Sequence, residues 1–337
     1  MNREYSAKVS GIGSCVPEHV LTNHDLEQIV DTSDEWIQTR TGIRERRKAD
    51  PSEATSDLAT TAAEIALKEA GISPQDLDAI IVATTTPDMT FPSTACMVQK
   101  NIGAQHAFAY DISAACAGFL FALSNASQYI ENGTCQSVLV IGADLMTHIT
   151  DFKDRNTCVL FGDGAGAVLL SRSMNEEGII RTELGSDGRH GDILSVPAGG
   201  TKLPLTEETI TLRKQYISMN GSEVFKMAVR AMGNSAKQLL EKTGYDIHQI
   251  DWLVPHQANK RIIDTLRKKM GFPEEKVFIN LQHYGNMSAA SIPVALDEAY
   301  RSHLIKPDQL ILMVAFGGGL TWGSSLLRWS LELKNDG

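Results

Sequence analysis

Phe108-Ala-Tyr-Asp-Ile112-Ser-Ala-Ala-Cys116-Ala-Gly-Phe119-Leu-Phe-Ala-Leu123 is the stretch whose reading decides the fold. Its first five residues predict a strand. A run of small residues follows. Phe119, Leu120, Leu123, Ala126 and Ile130 then recur at helical spacing to about residue 131, where Asn132-Gly133 ends the helix. A strand passing through a tight turn into a long helix is the repeating unit of an α/β protein. Outward from it, a helix is predicted over 55–70 and strands over 78–84, 138–143 and 165–170. The second half repeats the order: strand 250–254, helix 259–270, strand 276–280, helix 287–303, and strand 309–316 running into Gly317-Gly318-Gly319. Corresponding elements lie about 170 residues apart, too far for a solenoid. The expectation is two similar fused α/β halves, 1–172 and 173–337, with a connecting strand and surface loops over 172–218.

The 337 residues are 42% hydrophobic and 21% charged, an ordinary globular composition. Residues 1–10 are polar and lack an apolar core segment, so no cleaved signal peptide is expected. The longest apolar runs are too short to span a bilayer, so no membrane insertion is expected. The five cysteines form no CxxC pair, which argues against a disulfide framework or a short-spaced zinc site and fits a cytoplasmic protein. No close HxxxH pair occurs among the nine histidines, and no metal is expected. A net charge of −10 disfavours nucleic acid as a partner.

Three segments carry candidate chemistry. Cys116 falls at the start of a helix, where unpaired N–H groups and the helix dipole favour a thiolate. His256, in Val254-Pro-His256-Gln-Ala-Asn259, follows a strand end, where ligand crevices of α/β sheets lie. Asn286, in His283-Tyr-Gly-Asn286-Met-Ser-Ala-Ala, occupies in the second half the place that the Cys116 segment holds in the first. Each has an ordinary reading alone: a buried inert cysteine, a turn-bonded histidine, a helix-capping asparagine. A pseudo-twofold between the halves would bring all three to one crevice.

The chain resembles the 3-oxoacyl-(acyl-carrier-protein) synthase III family of the thiolase superfamily over essentially its whole length. The resemblance rests on Asp34-Glu-Trp36-Ile-Gln-Thr-Arg40-Thr-Gly-Ile-Arg, the segment 111–119, Phe161-Gly-Asp-Gly-Ala-Gly166, Pro255-His-Gln-Ala-Asn259, Tyr284-Gly-Asn-Met-Ser-Ala-Ala290 and Phe316-Gly-Gly-Gly-Leu-Thr-Trp-Gly323. Met287 departs from the Thr that many members carry, a change expected to touch only pocket shape. The resemblance implies a layered αβαβα thiolase-like fold. It implies an acyltransferase of bacterial type II fatty acid synthesis: acyl-CoA acylates Cys116, and malonyl-acyl carrier protein then condenses with it, losing CO2. It makes Cys116, His256 and Asn286 catalytic. The Cys116 and Gly318 N–H groups become an oxyanion hole, and Trp36, Arg40, Arg155 and Asn259 line a CoA channel. Phe91 reaches the acyl pocket of a partner subunit, which implies a homodimer. No cofactor is implied, since acyl-CoA is a substrate. A basic helix bearing Lys260, Arg261, Arg267, Lys268 and Lys269, with Lys226, is the candidate surface for acidic acyl carrier protein.

Rival readings are a specialised-metabolite ketosynthase or acyltransferase with the same trio, a cysteine hydrolase, and a non-catalytic acyl-CoA binder. A degradative thiolase needs a second cysteine as base, and none follows Cys158.

Overall fold

The computed structural model describes residues 5–175 and 177–332. The reading of residues 1–10 thus falls partly outside the described residues, while the rest of that segment enters the first strand. One mixed sheet holds β1 (Ser6–Cys15), β2 (Ala79–Ala83), β3 (Phe108–Ile112), β4 (Ser137–Leu145) and β5 (Asp163–Ser173), in spatial order β1-β5-β4-β2-β3. β2 runs parallel to β3 and β4, and β5 antiparallel to β1 and β4. A second sheet holds β6 (Gly178–Ser186), β7 (Trp252–Pro255), β8 (Leu310–Gly317) and β9 (Thr321–Arg328), in order β7-β8-β9-β6. Only β7 and β8 are parallel there. The main helices are α1 (Asp34–Thr41), α2 (Thr55–Ala70), α3 (Gly118–Glu131), α4 (Gly221–Thr243), α5 (Lys260–Met270) and α6 (Ser291–Arg301).

The apolar strands are buried on both faces, as continuous hydrophobic runs require. In β4, Val138 and Val140 enter one core while Leu139 and Ile141 enter another. In β8, Ile311, Met313 and Ala315 face inward, and Leu312 and Val314 face outward. The central core packs Phe119, Leu120 and Leu123 of α3 and Ile292, Ala295 and Leu296 of α6 between the sheets. α2 covers the outer face of the first sheet with Leu58, Ala62 and Ala66. α4 and α5 cover the second with Val224, Met232, Leu239, Ile263 and Leu266. The result is five layers, αβαβα. The middle layer is tight: a Cβ on Gly142 of β4 would collide with the Ala289 carbonyl oxygen.

Several predicted elements need correction. Residues 276–280 are not a strand. They meet β7 through the single bridge Leu253–Val277. The Gln257 side chain takes the next groups, donating to the Phe278 carbonyl (3.2 Å) and accepting the Asn280 N–H (3.1 Å). With these groups satisfied by a side chain, no ladder forms. The strand-and-turn reading before Asn286 gives way to a short helix, Leu281–Tyr284. The helices predicted from 115 and from 287 both open as 3-10 turns, Ala115–Ala117 and Ser288–Ala290. Segment 172–218 contributes β6 to the second sheet, plus a short helix, Glu207–Thr211, and a two-stranded ribbon, Leu194–Ser195 with Ser218–Met219.

Candidate active site

The two 3-10 turns stand at equivalent places and pack against each other. Each begins with a residue in left-handed conformation, Ala115 (φ 47°) and Ser288 (φ 49°), before its α-helix. A non-glycine residue there carries strain of about 1–3 kcal/mol, which the surrounding packing must hold. This register aligns Cys116 with Ala289, so Asn286 lies three residues ahead of the position equivalent to the cysteine.

Cys116, His256 and Asn286 all line one cavity of about 590 Å3, together with Arg40, Asn259 and Phe316. A second cavity of about 240 Å3 also borders Cys116 and is lined by Thr85, Met146, Ile149, Val196, Ile217 and Gly318. The thiol therefore stands at the junction of a large entrance and a smaller, mainly apolar chamber.

The helix start is where the sequence put it, yet burial outweighs it. Desolvation pushes the Cys116 thiol up to about 12, with the buried Asp144 carboxylate adding to the rise and Ser288 opposing it. Burial thus opposes the lowering expected from the helix start. Asp144 is itself raised by burial. Its Oδ1 accepts from the Thr85 N–H (2.7 Å) and the hydroxyls of Thr84, Thr85 and Thr86 (3.0–3.1 Å). Its Oδ2 accepts the Ala289 N–H across the halves (3.1 Å). Asp144→Ala would strand these buried donors. We expect a loss of about 3 kcal/mol or more in denaturant unfolding.

His256 directly follows β7, its N–H bound to the Val314 carbonyl at 2.8 Å. Burial pushes its imidazole down to about 3, so it is neutral. Nδ1 faces the Ser291 hydroxyl at 2.6 Å, while Nε2 is buried without a protein partner. Asn286 is pinned by its backbone to Leu160 (2.8 Å) and Gly162 (3.1 Å). Its Oδ1 accepts the Ser288 N–H at 2.9 Å, which turns the amide NH2 away from that contact. The site thus presents two neutral side chains beside a thiol.

Gly317 and Gly318 close the wall behind Cys116. A Cβ on Gly317 would stand 2.5 Å from the Cys116 nitrogen, and Gly318 lines the smaller cavity. The Thr321 hydroxyl ties the two backbones, at 2.7 Å from the Ala114 carbonyl and 3.1 Å from that of Gly318. Gly317→Ala must push Cys116 out of place. The rate of acylation, followed by release of CoA, should fall on the order of 100-fold.

The remaining predicted residues divide. The Arg155 guanidinium lies 4.1 Å from the Trp36 ring centroid and that of Arg40 5.8 Å. Asn259 caps α5 by accepting the Arg261 N–H, and its amide donates to the Arg40 carbonyl (3.2 Å). Lys226 and Arg261 line the large cavity, and Lys260 pairs with Asp264 at 2.8 Å. Arg267 is mostly buried and paired with Asp264 and Glu274, so it offers no free charge. Lys268 and Lys269 are both exposed, and Lys269 also lines a separate cleft with Lys237 and Tyr245. Phe91 is 82% exposed and lines neither cavity, which removes its core-packing alternative. Met287 is fully buried among Val16, Tyr284, Ala290 and Val294 and does not border the smaller cavity.

Residues 110–188 match the profile described as 3-Oxoacyl-[acyl-carrier-protein (ACP)] synthase III, and residues 240–329 that of its C-terminal part. A beta-ketoacyl-[acyl-carrier-protein] synthase III of Caldanaerobacter subterraneus is 55% identical over 98% of this chain and 100% of its own. The crystal structure of 3-oxoacyl-[acyl-carrier-protein] synthase III from Aquifex aeolicus is 49% identical, with a TM-score of 0.89 over 96% of this chain and 100% of its own. The priming beta-ketosynthase of the R1128 polyketide pathway is more distant in sequence, 34% identical with a TM-score of 0.91 over 98% of each chain. This chain belongs to the 3-oxoacyl-[acyl-carrier-protein] synthase III family.

Proposed function

We propose that Cys116, His256 and Asn286 carry the two half-reactions of an initiating condensing enzyme. The observation that carries this is the shared cavity, in which a thiol meets two neutral groups. In the first half-reaction, Cys116 sulfur attacks the acyl-CoA thioester. The acyl–sulfur bond to CoA breaks and the thiol proton ends on released CoA. The N–H groups of Cys116 and Gly318 hold the tetrahedral oxyanion. In the second, malonyl-acyl carrier protein loses CO2. The resulting enolate oxygen accepts hydrogen bonds from His256 Nε2–H and the Asn286 amide. The enolate carbon then attacks the acyl-cysteine and frees the thiolate, giving 3-oxoacyl-acyl carrier protein. Departure of CO2 generates the carbanion, so no charged base is needed, and neutral donors suit a charge that exists only during reaction.

The large cavity serves as the CoA channel, with Arg40 and Asn259 on its wall and the Trp36–Arg155 pair as an aromatic and cationic platform for the nucleotide end. The smaller chamber takes the primer acyl group. The exposed Phe91 is read as reaching a partner's chamber in a homodimer. The protein is read as cytoplasmic and as needing no cofactor beyond its substrates. Among the described residues no helix is long and apolar enough to cross a membrane.

Steady-state condensation with a panel of acyl-CoAs, following CoA and CO2, tests the reading and names the primer. Release of CoA without CO2 loss would overturn it. Lys226, Arg261, Lys260 and Lys268 remain the docking candidates for the acidic carrier protein. Raising salt from about 50 to 500 mM should increase KM for the malonyl carrier protein several-fold. An unchanged KM would remove the docking surface.

A further inference from the structure

The His256 imidazole lies within hydrogen-bond distance of one buried hydroxyl. His256 is neutral and fully enclosed, so its single N–H sits on Nδ1 or on Nε2. Only an Nε2–H points a donor from the ring atom that lacks a protein partner. The other ring nitrogen meets Ser291, the first residue of α6, itself completely buried.

Ser291 Oγ lies 2.6 Å from His256 Nδ1 and 2.9 Å from the Ser288 carbonyl oxygen, and the Gln257 N–H approaches it at 3.4 Å. It owns one hydrogen. Given to Nδ1, that hydrogen leaves Nδ1 bare and places the ring proton on Nε2. Given to the Ser288 carbonyl, it makes Ser291 an acceptor for Nδ1–H and leaves Nε2 bare. Two observations favour the first arrangement. The Ser288 carbonyl already accepts the backbone N–H of Ser291 and does not need the hydroxyl. The contact to Nδ1 is also the shorter of the two.

We propose that Ser291 is a positioning residue whose hydroxyl donates to His256 Nδ1 and holds the ring as the Nε2–H tautomer. The proposal rests on the reading of His256 as an enolate donor and assigns the group that makes it one. Ser291 touches no substrate, and its effect passes through the imidazole. The hydroxyl also links the halves of the site, since the same Ser288 whose carbonyl it borders gives its N–H to Asn286 Oδ1. Both enolate donors are therefore oriented by one turn.

The direct test is 15N NMR of the intact protein labelled at histidine, with His256 assigned by the signal missing in His256→Gln. At pH 7, Nε2 is expected to be pyrrole-like and Nδ1 pyridine-like. In Ser291→Ala the two shifts should move toward each other. Decarboxylation of malonyl carrier protein should fall about 10-fold or more, by analogy with tautomer loss in other enzymes, while acylation of Cys116 changes less than about 2-fold. Ser291→Thr, which keeps the hydroxyl, should restore both. A pyrrole-like Nδ1 in the unaltered protein overturns the proposal, whatever the variants do. So does a Ser291→Ala protein that decarboxylates at the full rate. If the expected tautomer is found but no condensation occurs, Ser291 stands and the enolate-donor reading fails.

Discussion

Cys116→Ala is expected to form no acyl-enzyme and to lose 3-oxoacyl product by on the order of 1000-fold or more, because no other thiol borders either cavity. Cys15, Cys96, Cys135 and Cys158 lie elsewhere. Decarboxylation should respond differently. In the proposed mechanism loss of CO2 from malonyl carrier protein calls on His256 and Asn286, both intact in this variant, so CO2 release should persist within about 10-fold of the unaltered protein. Intact-protein mass spectrometry after incubation with acyl-CoA reads the first effect, and labelled CO2 release reads the second. A mass increase by one acyl group in Cys116→Ala would place the nucleophile elsewhere.

His256→Ala and Asn286→Ala should show the opposite pattern. Each removes one of the proposed neutral donors to the enolate, and decarboxylation should fall on the order of 100-fold or more, as for other oxyanion-stabilising donors. Cys116 should still become acylated. Burial holds His256 down to about 3 from its ordinary 6.5. The sign follows: the imidazole is neutral at every pH above about 3, so acidification through 6.5 adds no proton to it. The decarboxylation rate of the unaltered enzyme should therefore show no fall centred near pH 6.5. A fall there, absent in His256→Ala, would mean that the ring titrates and that its pocket is wetter than the structure describes.

Much of the fold was legible in the sequence because the deciding signals are local. The 3.6-residue spacing of α3 and the unbroken apolar runs of β4 and β8 each reflect one kind of burial, and each element formed where predicted. Strand 276–280 failed because the competing partner was a side chain, Gln257, distant from the segment it satisfies. The 23-residue α4 went unread, although Val224, Ala228, Met232, Ala236 and Leu239 mark its buried stripe. Its starting residues lie next to the irregular segment and blurred the boundary.

At the site, residue types marked the candidates but not what supports them. Asp144 looks like one more acid in a strand, yet it joins the Thr84–Thr86 loop to the turn before α6. Ser291 looks like a helix-opening serine, and only the folded distance to Nδ1 gives it a partner. The burial that opposes the helix-start effect at Cys116 was hidden for a related reason. A helix start can be read from sequence, whereas complete desolvation depends on residues from both halves closing over the sulfur.

The most direct test of the account is a single turnover. Protein acylated from acyl-CoA and freed of excess donor is mixed with malonyl carrier protein, and the carrier protein is weighed by mass spectrometry. The account predicts a carrier protein bearing the acyl group plus a two-carbon unit, with one CO2 released per acyl-Cys116 consumed. Recovery of unmodified malonyl carrier protein beside intact or hydrolysed acyl-enzyme would contradict it.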